Sequence, residues 1–273
     1  MRRLLNVRPR GGVLVLLGLA PIVVLLLIYL LTSEARHALN PNDKILPTFA
    51  AIARAIDIMA FQVDPQRGEI PLWMDTRASL SRLGIALGIS TMVTLALGLL
   101  LGLLPVFRAL TGPIITAIAM APPIALLPIL FIVLGLGEAS KIGLIMIGVI
   151  PAMVRDLGAH VRAIPEEQLI KAQTLGASTW QIMLRVALPQ ALPRLIEIVR
   201  LQLGAAWVFL ISAEAIAADV GLGYRIFLVR RYLSMDIILP YVVWIALLAV
   251  TLDFLLAAFN RTAFSWAHPK GAR

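Results

Sequence analysis

The stretch that decides the fold is KAQTLGASTWQIMLRVALPQALP, residues 171–193. It lies between two strongly apolar runs and carries two cations, Lys171 and Arg185, and a glycine, Gly176, inside helix-forming sequence. It is too polar to cross a bilayer and too apolar for a simple solvated loop. Its apolar side chains therefore need a packing surface, and the remainder of the chain indicates which surfaces are available.

The composition is that of an integral membrane protein. Of the 273 residues, 60% are hydrophobic and 14% are charged, whereas soluble domains have about 45–50% and about 25%. The net charge of +9 comes from dispersed basic residues without interleaved aromatic ones, which favours positive flanks of membrane spans over nucleic-acid binding. The absence of cysteine excludes disulfides and thiolate metal sites.

Six apolar runs are predicted to span the membrane: 13–31, 80–104, 114–134, 142–154, 192–218 and 240–259. The first could be a signal peptide, but it is longer than the usual apolar segment of about 7–15 residues and no small-residue cleavage site follows it. The third contains Pro122, Pro123 and Pro128 and is expected to be distorted. In the second, four glycines are expected to allow close helix approach: Gly84, Gly88, Gly98 and Gly102.

These spans predict a basic head (1–12), a segment with an amphipathic helix (32–79), a core (80–260) and a tail (261–273). The apolar stripe of the amphipathic helix is predicted to include Phe49, Ile52, Ile56 and Ala60. Because the first span follows a basic head, both termini and the 155–194 loop are predicted to be cytoplasmic and 32–79 periplasmic.

The 155–194 loop is predicted to form two short helices joined at Gly176, with Ser178 as the N-cap of the second. Pro189 and Pro193 are expected to end the second helix. Its apolar side could fit the groove of a partner protein or pack on the ends of its own bundle, and the pattern alone leaves both open.

This loop resembles the signature of the inner-membrane permeases of binding-protein-dependent ABC importers, which runs Glu-Ala-Ala, three residues, Gly, nine residues, Ile, any residue, Leu-Pro. Anchored on Gly176, the spacing places Ala172 and the pair Leu188–Pro189 in register, whereas Ile170 and Lys171 stand where Glu and Ala are usual. Three further stretches resemble the nitrate, sulfonate, taurine and bicarbonate branch: PPIALLPILFIVLGLGEASKI (122–142), SAEAIAADVGLGYRI (212–226) and NPNDKILP (40–47).

The resemblance implies an all-α integral membrane fold, a six-helix type I ABC importer permease bundle with a cytoplasmic coupling helix, in a bacterial inner membrane. It implies separate ABC ATP-binding subunits that hold ATP and Mg, a second permease subunit expected to be a copy of this chain, and a periplasmic solute-binding protein. The residues it assigns to ATPase coupling are Lys171, Ala172, Leu175, Gly176, Ala177, Trp180, Leu188 and Pro189. The chain itself is expected to bind membrane lipid, no cofactor and no nucleic acid, and its sequence has no phosphate-binding loop, since GLGEASK (135–141) has the wrong spacing.

Five residues are candidates for the translocation pathway: Glu214, Ser90, Thr94, Pro122 and Pro123. An ionisable group at membrane depth is costly, so Glu214 is expected either to face the subunit interface as a pathway residue or to pair with Arg225. The hydroxyls of Ser90 and Thr94 could contact solute or bond to neighbouring backbone.

The function predicted is a permease subunit of an ATP-driven importer for a small solute, expected to be an anion of the nitrate, sulfonate, taurine or bicarbonate type. The alternative is an ion-coupled secondary transporter with Glu214 and Asp253 as carriers. An enzyme is not expected, because no catalytic constellation converges on one side of the membrane. Glu197 and Arg200 are predicted to form an i, i+3 pair.

Overall fold

The computed structural model describes residues 11–40 and 43–267, and this part of the chain is helical without strands. Its helices are α1 (Gly11–Leu39), α2 (Phe49–Phe61), α3 (Pro71–Leu103), α4 (Pro105–Met120), α5 (Leu127–Leu134), α6 (Glu138–Arg162), α7 (Glu166–Thr174), α8 (Thr179–Ile182), α9 (Leu188–Ala217), α10 (Leu222–Arg230) and α11 (Met235–Ala263). Short 3₁₀ turns cover Pro123–Leu126 and Ser265–Ala267, and a π turn covers Met183–Ala187. Within the described residues five helices are long and apolar enough to cross a membrane, or six if the bent pair α4–α5 is one span.

The core lies where α3, α6 and α9 pack together. Val149, Met153 and Leu157 of α6 are fully buried there. Gly98 and Gly102 of α3 allow this contact, because a Cβ on Gly102 would lie 2.5 Å from the Val161 Cβ. Within the described residues the prediction for Gly84 and Gly88 is wrong, since a Cβ on either would meet none of their atoms within 4 Å.

Helix α3 begins at Pro71, nine residues before the predicted start of the second span. Asp75 and Ser79 precede the predicted start and Arg82 lies just after it, and all three are buried inside the described fold. The predicted fourth span is likewise only the middle of the 25-residue helix α6. In both cases polar side chains find partners on distant helices, which hydropathy alone does not reveal.

The third apolar run is broken, as the proline cluster predicts. Helix α4 ends at Met120, and α5 continues at an angle of 89° after the 3₁₀ turn that begins at Pro123. Proline lacks the N–H that would continue the helical ladder and restricts the residue before it. The run from 114 to 134 is therefore two helices rather than one straight span.

The prediction that Pro189 and Pro193 end the loop's second helix is wrong. The chain continues as one apolar helical run from Thr179 to Ala217. The π turn at Met183–Ala187 precedes Pro189, and the Leu188 N–H bonds to the Met183 carbonyl five residues back. A widened turn accommodates residues that an ideal α-helix resists, so the prolines lie within α9.

Helices α1 and α2 lie beside this core. The window of α1 that satisfies the span criterion has none of its residues buried, and the Tyr29 hydroxyl donates a hydrogen bond to the Pro47 carbonyl at 2.6 Å. Helix α2 starts at the predicted place, with Thr48 as its N-cap. Its buried face is centred on Ala55 and Ala60, whereas Phe49 and Ile56 of the predicted stripe are exposed.

Candidate functional site

One candidate site is the segment from Glu166 to Ile182, which contains α7 and α8 and is called the hairpin below. Helix α7 ends in a Schellman motif, in which the Ala177 N–H bonds to the Ala172 carbonyl at 3.0 Å and the Gly176 N–H to the Gln173 carbonyl at 2.9 Å. Gly176 has φ +83°, a left-handed conformation that favours glycine. The predicted bend at Gly176 is confirmed, and its cause is backbone conformation.

Helix α8 begins with a capping box. The Gln181 N–H bonds to the Ser178 hydroxyl at 3.3 Å, and the Ser178 N–H bonds to the Gln181 side-chain oxygen at 2.8 Å. Ser178 is therefore the N-cap that the sequence predicts. Both ends of the bend are fixed by local hydrogen bonds, so the shape of the bend itself is set by residues of the hairpin.

The apolar side chains of the hairpin point in two directions. Met183 and Ala187, just after α8, are buried in the core, whereas Leu175 is 87% exposed and Trp180 is 63% exposed. Among the other predicted coupling residues, Lys171 is exposed, and Ala172, Ala177, Leu188 and Pro189 are half-buried. The base of the loop therefore packs on its own bundle, as one alternative predicts, while its tip presents uncovered apolar surface, and docking of the tip to a partner stays a prediction.

The opposite end of α3, α6 and α9 holds a set of charged side chains, called the charge cluster below: Asp75, Arg82, Glu138, Lys141, Glu214 and Arg225. Arg82 is its centre, donating to Glu214 at 2.7 Å, to Glu138 at 2.8 Å and to the Val220 carbonyl at 2.7 Å. Lys141 donates to Glu138 at 2.8 Å. Three carboxylates face three cations, so the cluster is neutral as a set.

The charge cluster also caps α10. The Gly221 N–H bonds to Asp75 at 3.0 Å, the Leu222 N–H to the Ser79 hydroxyl at 2.9 Å, and the Gly223 N–H to Glu214 at 2.9 Å. These N–H groups at a helix start have no partner inside the helix, and carboxylates there also complement the helix dipole. The start of α10 is therefore fixed by side chains from α3 and α9.

A fourth ion pair completes the charge cluster. Arg225 of α10 donates to Asp75 at 2.8 Å, and the Tyr241 hydroxyl of α11 donates to the same carboxylate at 3.1 Å. Asp75 thereby connects α3 to α10 and α11. Sequence reading missed this role, although Asp75, Ser79 and Arg82 recur at the spacing of one helix face.

The predicted pairing of Glu214 with Arg225 is wrong. Glu214 is fully buried in the described chain and receives hydrogen bonds from Ser79 and Arg82, and its role in the translocation pathway stays a prediction. A buried carboxylate is stable only when it is paired and hydrogen-bonded, and this one has both kinds of partner. The arrangement is that of a structural junction between α3, α9 and α10.

The remaining pathway candidates do not converge. Ser90 and Thr94 are fully buried in α3, and neither hydroxyl has a hydrogen-bond partner among the described residues. Pro122 is exposed and Pro123 half-buried at the break between α4 and α5. Their role in contacting solute stays a prediction.

The predicted pair of Glu197 with Arg200 is wrong. Glu197 pairs instead with Arg194 at 2.9 Å. Arg200 makes two hydrogen bonds of 2.9 Å to Asp253 of α11. Asp253, for which the sequence offered no local partner, is therefore ion-paired across helices, and with Glu214 also paired, neither proposed ion carrier is free in this structure.

The sequence profile of the binding-protein-dependent transport system inner membrane component family matches residues 94–264. This stretch contains the hairpin, the π turn, α9, α10 and all of α11. The chain belongs to this family of inner-membrane transport components, whose members are permeases rather than enzymes. With several apolar helices long enough to cross a bilayer, it is a multi-pass membrane protein.

Relatives of known name place the chain within the family. The taurine transport system permease protein TauC of Escherichia coli (strain K12) is 35% identical over 195 residues, which are 71% of this chain and 71% of TauC. The bicarbonate transport system permease protein CmpB of Synechococcus elongatus (strain ATCC 33912 / PCC 7942 / FACHB-805) is 29% identical over 193 residues, 70% of this chain and 69% of CmpB.

The fold matches solved permeases. A chain of the MetNI methionine ABC transporter in an inward-facing conformation superposes with a TM-score of 0.60 at 22% sequence identity, covering 67% of this chain and 92% of that chain. At this identity the likeness supports the fold alone. The predicted class, an all-α ABC importer permease bundle, is confirmed.

Proposed function

We propose that this chain is the permease subunit of an ATP-driven importer and that the hairpin seats in a cleft of a separate ATP-binding subunit. The observation that carries the proposal is the exposure of Leu175 and Trp180 on a hairpin with a locally fixed bend. Apolar side chains clustered on an exposed, rigid element are typical of protein–protein contacts. A rigid docked element can transmit motion of the ATPases to α6 and α9, which flank it.

The proposed orientation places the hairpin in the cytoplasm. The loop 155–194 carries Arg155, Arg162, Lys171, Arg185 and Arg194, and cytoplasmic loops are enriched in Lys and Arg. The end of α11 lies on the same side of the bundle, because Arg200 in the first half of α9 meets Asp253 in the second half of α11. Both termini are then cytoplasmic, and the charge cluster lies toward the periplasm.

The solute we propose is a small anion of the sulfonate or bicarbonate type. Support comes from the names of the relatives TauC and CmpB. The assembly would include a second permease subunit, proposed to be another copy of this chain, and a periplasmic binding protein that delivers the solute. ATP and Mg would be held by the ATP-binding subunits.

Attachment of the ATPase is tested by co-purification. A tagged full-length chain is co-expressed with its ATP-binding subunit, and Leu175→Ala and Trp180→Ala are each compared with the unmodified chain. The matched control is Leu136→Ala, since Leu136 is 65% exposed in the turn before α6, outside the hairpin. Both hairpin variants are expected to lose ATPase while the control retains it. Equal recovery from all variants would overturn the proposal.

The solute is tested separately, in proteoliposomes that contain the full assembly with ATP inside. Uptake of labelled taurine and of labelled bicarbonate is measured with and without the binding protein. Uptake of either solute, the zwitterionic sulfonate taurine or the anion bicarbonate, that requires both ATP and the binding protein is the expected result. Uptake of neither solute would overturn the solute class while leaving the attachment experiment as an independent test of the permease role.

A further inference from the structure

A groove of about 520 Å³ runs along the outer side of the contact between α9 and α11, at the hairpin end of the bundle. Its lining includes three charged side chains, those of Arg200, Asp253 and Arg261. It also includes the small side chains of Ala257 and Ala258. Residues 253, 257 and 261 of α11 are four apart and therefore share one helix face.

The charges in the groove do not balance. Arg200 and Asp253 neutralise each other through their two hydrogen bonds. Arg261 is exposed and makes no hydrogen bond or ion pair with the part of the chain that the structure describes. The groove thus carries one uncompensated positive charge, which suits an anionic ligand.

Aromatic residues indicate where the groove lies relative to the membrane surface. Trp266, 58% exposed, packs edge-on against Phe264 just beyond α11, and exposed Trp residues are typical of the membrane–water interface. Arg261 lies one turn inside this level. Asp253 lies deeper by roughly 12 Å, the rise of eight helical residues, within a helix that meets the criterion for a span.

The deep ion pair is open to its surroundings. The side chains of Arg200 and Asp253 retain 30% and 46% of their exposure, and charge facing hydrocarbon is costly. The neighbouring lining residue Phe254 is 69% exposed and apolar. A ligand complementary to the groove is therefore anionic near Arg261 and apolar along Phe254, Ala257 and Ala258.

We infer that this groove binds one anionic phospholipid, with its phosphate at Arg261 and an acyl chain over Ala257 and Ala258. A free anion would use only the Arg261 end and would leave the apolar length of the groove uncovered. Basic pockets between spanning helices are known to hold anionic headgroups. This inference does not depend on the solute proposed above.

The experiment is native mass spectrometry of the purified full-length chain after incubation with phosphatidylglycerol or phosphatidylethanolamine. The unmodified chain is expected to retain phosphatidylglycerol selectively. Arg261→Gln is expected to lower that retention about five-fold, the effect of losing one basic contact to an anionic headgroup. Ala258→Leu, which fills the groove without changing charge, is expected to lower retention of both lipids. The control is Arg155→Gln, an exposed arginine at the same end of the bundle but outside the groove.

Two further outcomes separate other occupants from a lipid. Inorganic phosphate that raises the thermal stability of the chain as much as phosphatidylglycerol does would overturn the acyl-chain part of the inference. Because the chain has no cysteine, Ala258→Cys introduces a single thiol. Efficient disulfide formation between two copies in a membrane would show that a second subunit covers the groove and would overturn the lipid site. Retention by Arg261→Gln equal to that by Arg155→Gln would do the same.

Discussion

At one end of α3, α6 and α9 the charge cluster places three carboxylates against three cations, whereas at the other end the hairpin leaves Leu175 and Trp180 uncovered. Arg82 has hydrogen-bond partners on α6, on α9 and in the turn before α10. Leu175, at the tip of the hairpin, is 87% exposed. The same three helices therefore have one end closed by internal partners and one end that leaves apolar surface uncovered.

This difference separates an end that is held by internal contacts from an end that is not. Under the proposed function, the second end would receive the motion of the ATP-binding subunits. Buried charges without partners are strongly unfavourable, so the charge cluster resists any movement that separates α3 from α10. An exposed apolar tip has no such internal constraint and gains stability only when a partner covers it. Motion that enters at the hairpin would then be carried by α6 and α9 against a fixed far end.

Removing the centre of the charge cluster is expected to have the largest effect. Arg82→Met leaves Glu214 buried without a cation, and breaking a buried pair in this way costs about 3–5 kcal/mol. The midpoint of thermal unfolding of the purified chain in detergent should fall markedly. The double variant Arg82→Met/Glu214→Met should recover part of the loss, because it removes both charges.

Arg77→Met is the matched control, since Arg77 lies on the same helix and is exposed. Its unfolding midpoint is expected to stay near that of the unmodified chain. If Arg77→Met and Arg82→Met lower the midpoint equally, the charge cluster does not hold its end of the bundle together.

The packing between the two ends is tested by two glycines of α3. Gly102→Ala would place a Cβ 2.5 Å from the Val161 Cβ and 3.0 Å from the Gly158 carbonyl oxygen, and overpacking of this kind costs about 1–3 kcal/mol. Gly88→Ala meets nothing within 4 Å and is expected to stabilise the helix by about 0.5–1 kcal/mol. Thermal unfolding of the two variants should therefore shift in opposite directions, and a shift of the same sign and size would contradict the α3–α6 contact.

The hairpin end could be predicted from sequence because its determinants are local. Gly176 and Ser178 are two positions apart, and the hydrogen bonds that define the bend join residues no more than five apart. Helix-ending glycines and capping boxes are readable at that range. The spacing from Gly176 to Leu188–Pro189 then identified the family that the comparisons confirm.

The closed end could not be predicted because its determinants are far apart in the chain. Arg82 and Glu214 are separated by 132 positions, and Asp75 and Arg225 by 150. A polar stripe in α3 lowers the hydropathy of its first turns, so the second span was placed nine residues too late. The α9–α11 pair of Arg200 with Asp253 was missed for the same reason, since the nearer acid, Glu197, seemed sufficient in sequence.

A smaller and more local effect is expected at Gly176. Gly176→Ala meets no atoms within 4 Å, but a left-handed backbone costs an L-residue about 1–2 kcal/mol. The bundle should unfold at its usual midpoint while recovery of the ATP-binding subunit in co-purification falls. Gly176→Asn should recover more of the subunit than alanine does, because asparagine tolerates this conformation better. If alanine and asparagine behave alike, the bend is not what the partner recognises.

The smallest effect on stability is expected at Asp253. This residue also tests the alternative that the protein is an ion-coupled transporter. The pair with Arg200 is half-exposed rather than buried, and asparagine keeps an oxygen that can accept a hydrogen bond from Arg200, so Asp253→Asn should lower the unfolding midpoint less than Arg82→Met does. Transport should persist, because in an ATP-driven importer no proton needs to bind this carboxylate.

The same variant, Asp253→Asn, also frees Arg200 and raises the net positive charge of the groove, so retention of phosphatidylglycerol should increase. Loss of ATP-dependent uptake in a well-folded Asp253→Asn protein would instead place the carboxylate in the transport cycle.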